Sequence, residues 1–281
     1  MFRKICLILG GAAALTLAQD PPADEHVRTR QLWDTTLLEK RPSAAKAPVK
    51  RPAASSVKGA LVGVTVWRLR PSKAGEESAQ RALIQEEASG QAWTPERVAA
   101  DSPLAEGQKV RVSAESAQDG YLYIIDRDEY ADGTKGAPYL IFPTLRTRGG
   151  DNRVGPGMVI EIPAQDDNPP YFKVERSRPD QVNEVLTLLI TPKPMDELKI
   201  ERGRIKLTDS QVAGWEKQWR AKSYRLEDVA HEGKPYTTTE KLAARGEKRL
   251  NDKDPLPQTM YRVDCKPDSP VMLDVQLKIA K

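Results

Sequence analysis

Histidine and cysteine are nearly missing from this chain, with two of each in 281 residues. His26 lies in a Pro-containing stretch and His231 in a polar one before Gly233. A Ser-His-Asp arrangement would therefore rest on His231, held by an acid and set against a nucleophile. No Gly-x-Ser-x-Gly elbow is present to offer that nucleophile. Scattered histidines and a single mature cysteine also fall short of the usual tetrahedral zinc site. The count argues against histidine-based hydrolysis, and no cofactor is expected.

Long apolar runs are absent except at the N-terminus. Arg3 and Lys4 precede an uncharged, Leu- and Ala-rich run from Ile5 to Ala18, closed by Thr16-Leu17-Ala18 before Gln19. This is the layout of a secretory signal peptide cleaved near Ala18, and the run is short of the roughly 20 residues of a spanning helix. The alternative is a retained anchor. Export to the periplasm or beyond is expected, with no membrane span after cleavage. Loss of Cys6 leaves Cys265 alone, which rules out an intramolecular disulfide. A buried, inert thiol is expected there, with an intermolecular bridge as the alternative.

Runs of one charge sign are lacking too, with one exception. Loss of Arg3 and Lys4 takes the formal net charge from +4 to +2 (4 − 2), and acids and bases mostly interleave. From Lys40 to Lys58, however, Lys40, Arg41, Lys46, Lys50, Arg51 and Lys58 occur without an acid. Such a stretch could rest on anionic lipid, wall polymers or nucleic acid. It carries no aromatic residue to stack bases, so nucleic acid is not expected as a partner. Pro21, Pro22, Pro42, Pro48 and Pro52, spaced by Ala, Ser and Lys, make residues 19–58 an extended, disordered tether. Within it, Gln31-Leu32-Trp33 and Leu37-Leu38 form at most a transient helix.

What is present is a series of short strands. Leu61–Leu69 opens it, with Val62, Val64 and Val66 on one face, and Pro71 stops the run. Glu76–Ala88 permits helix without a sustained stripe. Six runs follow: Lys109–Glu115, Gly120–Asp126, Tyr139–Phe142, Met158–Ile162, Tyr171–Glu175 and Glu184–Ile190. In the first, Val110, Val112 and Ala114 face inward and Lys109, Arg111 and Glu115 outward. Gly120–Asp126 and Glu184–Ile190 are apolar on both faces, as covered inner strands are. Turn residues at Asp119-Gly120, Asp132-Gly133 and Gly155-Pro156-Gly157 separate the strands, and no helix-length segment lies between them. These features predict an antiparallel β-sandwich, immunoglobulin-like in general shape, over residues 59–194.

Residues 195–281 change character. Thr208-x-x-Gln211 and Thr237-x-x-Glu240 are capping-box patterns for one or two helices, the second running through Leu242 to Leu250 and weakened by Gly246. Val212, Trp215 and Trp219 share one face of the first helix, as an anchoring stripe does. Thr259–Cys265 and Met272–Ile279 read as a C-terminal hairpin completing the sheet.

The strand block resembles the bacterial family catalogued as domain of unknown function 4384. The resemblance is carried by Leu104-x-x-Gly107, Gly120-Tyr121-Leu122-Tyr123 and Leu140-Ile141-Phe142-Pro143-Thr144. It continues through Asp151-Asn152-x-Val154-x-Pro156-Gly157, Ile162-Pro163 and a late apolar strand ending in Pro, over residues of about 93–194. It implies an exported or surface-associated accessory module and brings no catalytic residues.

Candidate sites are therefore loops and aromatics. Asp126, Asp128 and Asp132 lie in a carboxylate-rich segment ending at Gly133, which could wrap calcium. The EF-hand pattern wants an oxygen ligand where Tyr130 stands and Gly where Ala131 stands, so a solvated hairpin loop without metal is expected. Asp151 and Asn152 mark a second possible binding loop, within Arg146–Gly157. Tyr121 and Tyr123 could form a glycan or peptide platform, although core packing is the expected use of that face. The resulting expectation is a non-enzymatic binding or scaffolding module of the cell envelope, with envelope proteins or wall polymers as partners. The competing expectation is an envelope enzyme acting on glycans through two acids converging in a cleft, one in an apolar setting.

Overall fold

The computed structural model describes residues 37–38, 40–44, 59–74, 92–227 and 231–281. In chain order the first strands are β1 (Ala60–Pro71), β2 (Trp93–Val98), β3 (Lys109–Ser116), β4 (Gly120–Tyr130), β5 (Tyr139–Phe142), β6 (Arg153–Val154) and β7 (Val159–Ile162). They continue with β8 (Phe172–Lys173), β9 (Gln181–Thr191), β10 (Ile205–Lys206), β11 (Ser223–Glu227), β12 (Thr259–Val263) and β13 (Val271–Lys278). Helix α1 spans Asp209–Trp219 and α2 spans Thr238–Ala244. The signal segment and the run Glu76–Ala88 lie outside the described residues.

The strands form two antiparallel sheets, as the turn spacing predicted. The first has the order β11-β12-β1-β3-β7, with β2 also on β1 and β8 also on β3. The second has the order β10-β5-β4-β9-β13, with β6 on β4. Between them sits the main core. Val62, Val64 and Val66 of β1 and Val110, Val112 and Ala114 of β3 meet Leu122, Ile124, Leu186 and Leu188 of the second sheet. Full burial of each such aliphatic side chain contributes about 1.5–3 kcal/mol.

The outer faces are covered as well, which strand alternation does not reveal. On the second sheet, Tyr123, Ile125 and Leu189 pack under Val212 and Trp215 of α1. The capping box at Thr208 and Gln211 starts that helix, and Trp215 and Trp219 stack with ring centroids 6.3 Å apart. On the first sheet, Trp67 and Val159 pack under Tyr236, Ala243, Ala244 and Leu250. Gly63 belongs to this close approach, because a Cβ there would lie 2.1 Å from Pro257 Cγ. Helix α2 ends earlier than the expected Leu250. Gly246, at φ +75, turns the chain out of the helix after its capping-box start.

Several strand expectations are corrected. Thr259–Cys265 and Met272–Ile279 do not form a hairpin: β12 pairs with β1 in one sheet and β13 with β9 in the other. The alternation of each strand was legible, but its choice of sheet is set by partners remote in sequence. Strand β4 runs past its expected end at Asp126 through Tyr130, so Asp128 sits on a strand and not in a hairpin loop. The turn begins after them, with Asp132 accepting from Thr134 N at 2.9 Å. The tether expectation also fails at two described residues. Leu37 is buried with Leu61, Ala117 and Met260, and Arg41 is buried against Glu115.

Candidate functional site

Two groups of charged side chains stand out, one buried and one half-buried along a cleft. The first lies on the outer face of β1 and β3, beneath α2 and the chain that follows it. Alternation places Arg111, Ser113 and Glu115 on that face, and the cover buries all three. The Arg41 guanidinium donates to both Glu115 carboxylate oxygens at 2.7 and 2.6 Å and to the Asp254 carbonyl at 3.0 Å. Arg97 pairs with Glu240, whose other oxygen closes the capping box of α2, and lies 5.0 Å over the Trp67 ring. Trp67 donates from Nε1 to Ser113 Oγ at 2.9 Å and meets Tyr236 edge-on at 4.5 Å. The Tyr236 hydroxyl donates to Glu161 at 2.9 Å, and Arg111 stands 3.7 Å from the second Glu161 oxygen. Burial pushes the Glu161 carboxyl upward, with Arg111 and Tyr236 pulling against it. The cavity among these groups is about 20 Å³, room for one water at most. The charges leave no space for a ligand among them, although Glu161 Oε2 accepts no hydrogen bond and Arg97 and Tyr236 also border a depression of about 310 Å³.

The second group is built by the pairing of β4 with β9. Asp128 lies opposite Glu184, Asp126 opposite Leu186, and Ile124 opposite Leu188. Ile124, Leu186 and Leu188 point into the core, so the same periodicity sends Asp126, Asp128 and Glu184 inward where the core ends. The register of β4 against β5 also shifts between Ile124 and Ile125, beside Asp126. Asp126 and Glu184 lie on the diagonal across the two strands, near enough for each carboxyl to act on the other. Burial first, and the Glu184 carboxyl next, push Asp126 well above the usual carboxylate range. Burial also raises Glu184, while the neighbouring Asp126 carboxyl holds it down in part.

Asp128 differs from its neighbours because donors surround it. It accepts from Ser177 Oγ at 2.8 Å and from Gln181 Nε2 at 2.8 Å. Asp126 Oδ1, by contrast, is enclosed and accepts from no amide, guanidinium or hydroxyl group.

Asp126 and Glu184 line a cleft of about 400 Å³ at the side of the sandwich, between β5 of one sheet and β8 of the other. Its apolar walls are Ile141, Ile162, Pro163, Pro169, Tyr171 and Phe172, and its cations are Arg146, Lys173, Arg202 and Arg204. Arg204 stacks 4.3 Å over Tyr139 and draws the Asp126 carboxyl down from across the cleft. Lys173 pairs with Glu175 at 2.7 Å, and Arg146 donates to the Asn168 carbonyl. Arg202 is exposed and bonds to no described residue. A shallower depression of about 710 Å³ shares Arg146, Asp167 and Arg202 and is edged by Leu145, which is 53 % exposed.

The residues singled out from the sequence scatter. Asp126 lies in the cleft and Asp128 stands beside it, whereas Asp132 makes only its own turn. Asp151 is held by Arg153 at 2.9 Å, and Asn152 donates to the Leu122 carbonyl at 3.0 Å. Tyr123 is core, with its hydroxyl accepting from Met195 N at 2.8 Å, and Tyr121 packs half-buried against the same cluster. Sequence reasoning missed Glu184, Arg202 and Arg204. An acid inside an apolar strand was the available signal for Glu184, whereas nothing local marks the two arginines.

Among the described residues, no group of three or more His, Cys, Asp or Glu is placed to hold a metal, and no helix is long and apolar enough to cross a membrane. No family model, curated protein or solved structure matches this chain.

Proposed function

We propose that this protein is an exported, non-enzymatic binding or scaffolding module of the bacterial cell envelope, which holds its partner in the cleft between β5 and β8. One observation carries the reading: two inward carboxyls, Asp126 and Glu184, stand in a cleft that also offers apolar walls and four cations. Such a pair offers hydrogen-bond acceptors to a ligand, beside cations that can hold an anionic group. The signal-peptide pattern at residues 1–18 and the motif order shared with domain of unknown function 4384 support export and an accessory role.

The test places a photo-crosslinking amino acid at Leu145, exposed on the rim, and irradiates intact cells. Adducts to envelope proteins or wall polymers are the expected result, and a chain recovered only alone overturns the proposal. The competing reading, a glycan-cleaving enzyme, draws on the same acid pair. Release of new reducing ends from cell-wall glycans by the purified protein, abolished in Asp126→Asn, would establish that reading instead.

A further inference from the structure

The chemistry of the cleft selects among ligand classes. Its lining holds four cations, Arg146, Lys173, Arg202 and Arg204, against three carboxyls, Asp126, Asp167 and Glu184. Cations outnumber carboxyls in the lining, so the space favours an anion over an amine. The cations stand apart from the acid pair in role. Arg202 and Arg204 are exposed, and Arg202 has no protein partner among the described residues. A planar guanidinium in this position suits a carboxylate, which it can hold through two parallel hydrogen bonds.

An anion alone leaves the inner end unexplained. Asp126 Oδ1 is enclosed without a protein donor, and such an acceptor gains most from a neutral O–H. A hydroxyl adds no charge to a site already rich in cations. The rings of Tyr171 and Phe172 and the edges of Pro163 and Pro169 line the same space, giving apolar surface to the C–H face of a ring. The volume of about 400 Å³ falls within the range of small-molecule sites and accepts one or two pyranose rings.

We infer that the cleft binds an acidic saccharide, with ring hydroxyls on the Asp126–Glu184 pair, a sugar face on Tyr171 and Phe172, and the sugar carboxylate on Arg202 and Arg204. This rests on the binding reading above. A peptide carboxyl terminus would satisfy the arginines but brings few hydroxyl donors to the acids. A neutral sugar would satisfy the acids and leave the arginines unused.

Isothermal titration with a glucuronic acid oligomer, a glucose oligomer of equal length and inorganic phosphate decides the matter. The uronate is expected to bind at least tenfold more tightly than the glucose oligomer, and phosphate no better than glucose. Arg202→Ala combined with Arg204→Ala should weaken uronate binding at least tenfold while leaving the melting temperature and the weak glucose binding unchanged. Asp126→Asn should weaken both sugars. Equal affinity for the two oligomers, phosphate binding as tightly as uronate, an unaffected double-arginine variant, or no binding of uronate would each overturn the inference. The binding-module reading is judged separately by the adducts at Leu145, which form with whatever ligand occupies the rim.

Discussion

Glu115, Glu161 and Glu240 lie buried beneath α2, and each faces an arginine: Arg41, Arg111 and Arg97 in turn. Asp126 and Glu184 are half-buried on the other sheet and lie across a strand pairing from each other. The first group encloses about 20 Å³ and the second lines about 400 Å³. A carboxylate removed from water must find a countercharge or give up its ionised form. Beneath α2 the chain supplies countercharges and closes over them, so the acids serve the fold. In the cleft it sets a second acid beside the first, which outweighs the pull of Arg204, and the deficit is left at an open space. The difference in partners separates a structural network from a site.

Breaking one pair in the closed network should give the largest effect. Arg41→Ala strands the buried Glu115 and is expected to cost about 3–5 kcal/mol in urea unfolding. Replacing both members, as Arg41→Met with Glu115→Leu, should recover most of that loss. A single variant losing under about 1 kcal/mol would erase the distinction between the two regions.

Asp126→Asn should act in the opposite direction. A carboxyl whose folded pKa is raised contributes its stability in full below the unfolded value near 3.8 and loses it as pH rises through the folded value. The wild type should therefore fall behind the variant with increasing pH, by at most about 1.4 kcal/mol per pH unit. Melting curves from pH 4 to 8 measure this, and parallel curves would contradict the raised Asp126 carboxyl.

Glu227 on β11 is an intermediate case. It accepts from Thr259 at 2.9 Å and stands 3.5 Å from Arg225, yet burial lifts its carboxyl to about 7. The same sign applies, so stability present at low pH is lost between about 4.5 and 7. Glu227→Gln should flatten that stretch of the pH–stability curve by about 1 kcal/mol, a discounted figure because Glu227 keeps part of its surface in water. The smallest effect belongs to Arg202→Ala, which should change stability by less than about 0.5 kcal/mol in the same unfolding assay. A larger loss would mean that the cleft cations hold up the fold, as those beneath α2 do.

The legibility of the molecule follows the same division. Val62, Val64 and Val66, or Val110 and Val112, announce strands and an inner face because alternation is a local property. Thr208 and Thr237 announce helix starts for a similar reason, since a cap is made within four residues. Arg111 and Glu115 read as solvent-facing and are buried, because the cover over them arrives from residues 231–258 and from Arg41. Asp126 read as part of a loop, and its partner Glu184 lies across a strand pairing that no local pattern specifies.

By itself, then, the sequence determined the strands, their turns, the two helix caps and the sandwich class, all of which follow from spacing over a few residues. The tertiary structure decided which sheet β12 and β13 join, which charged faces are covered, and which two acids meet without an arginine between them. Those outcomes depend on groups brought together from distant parts of the chain. Burial and the identity of the neighbouring charge, not residue type, set whether a carboxyl braces the fold or lines a site.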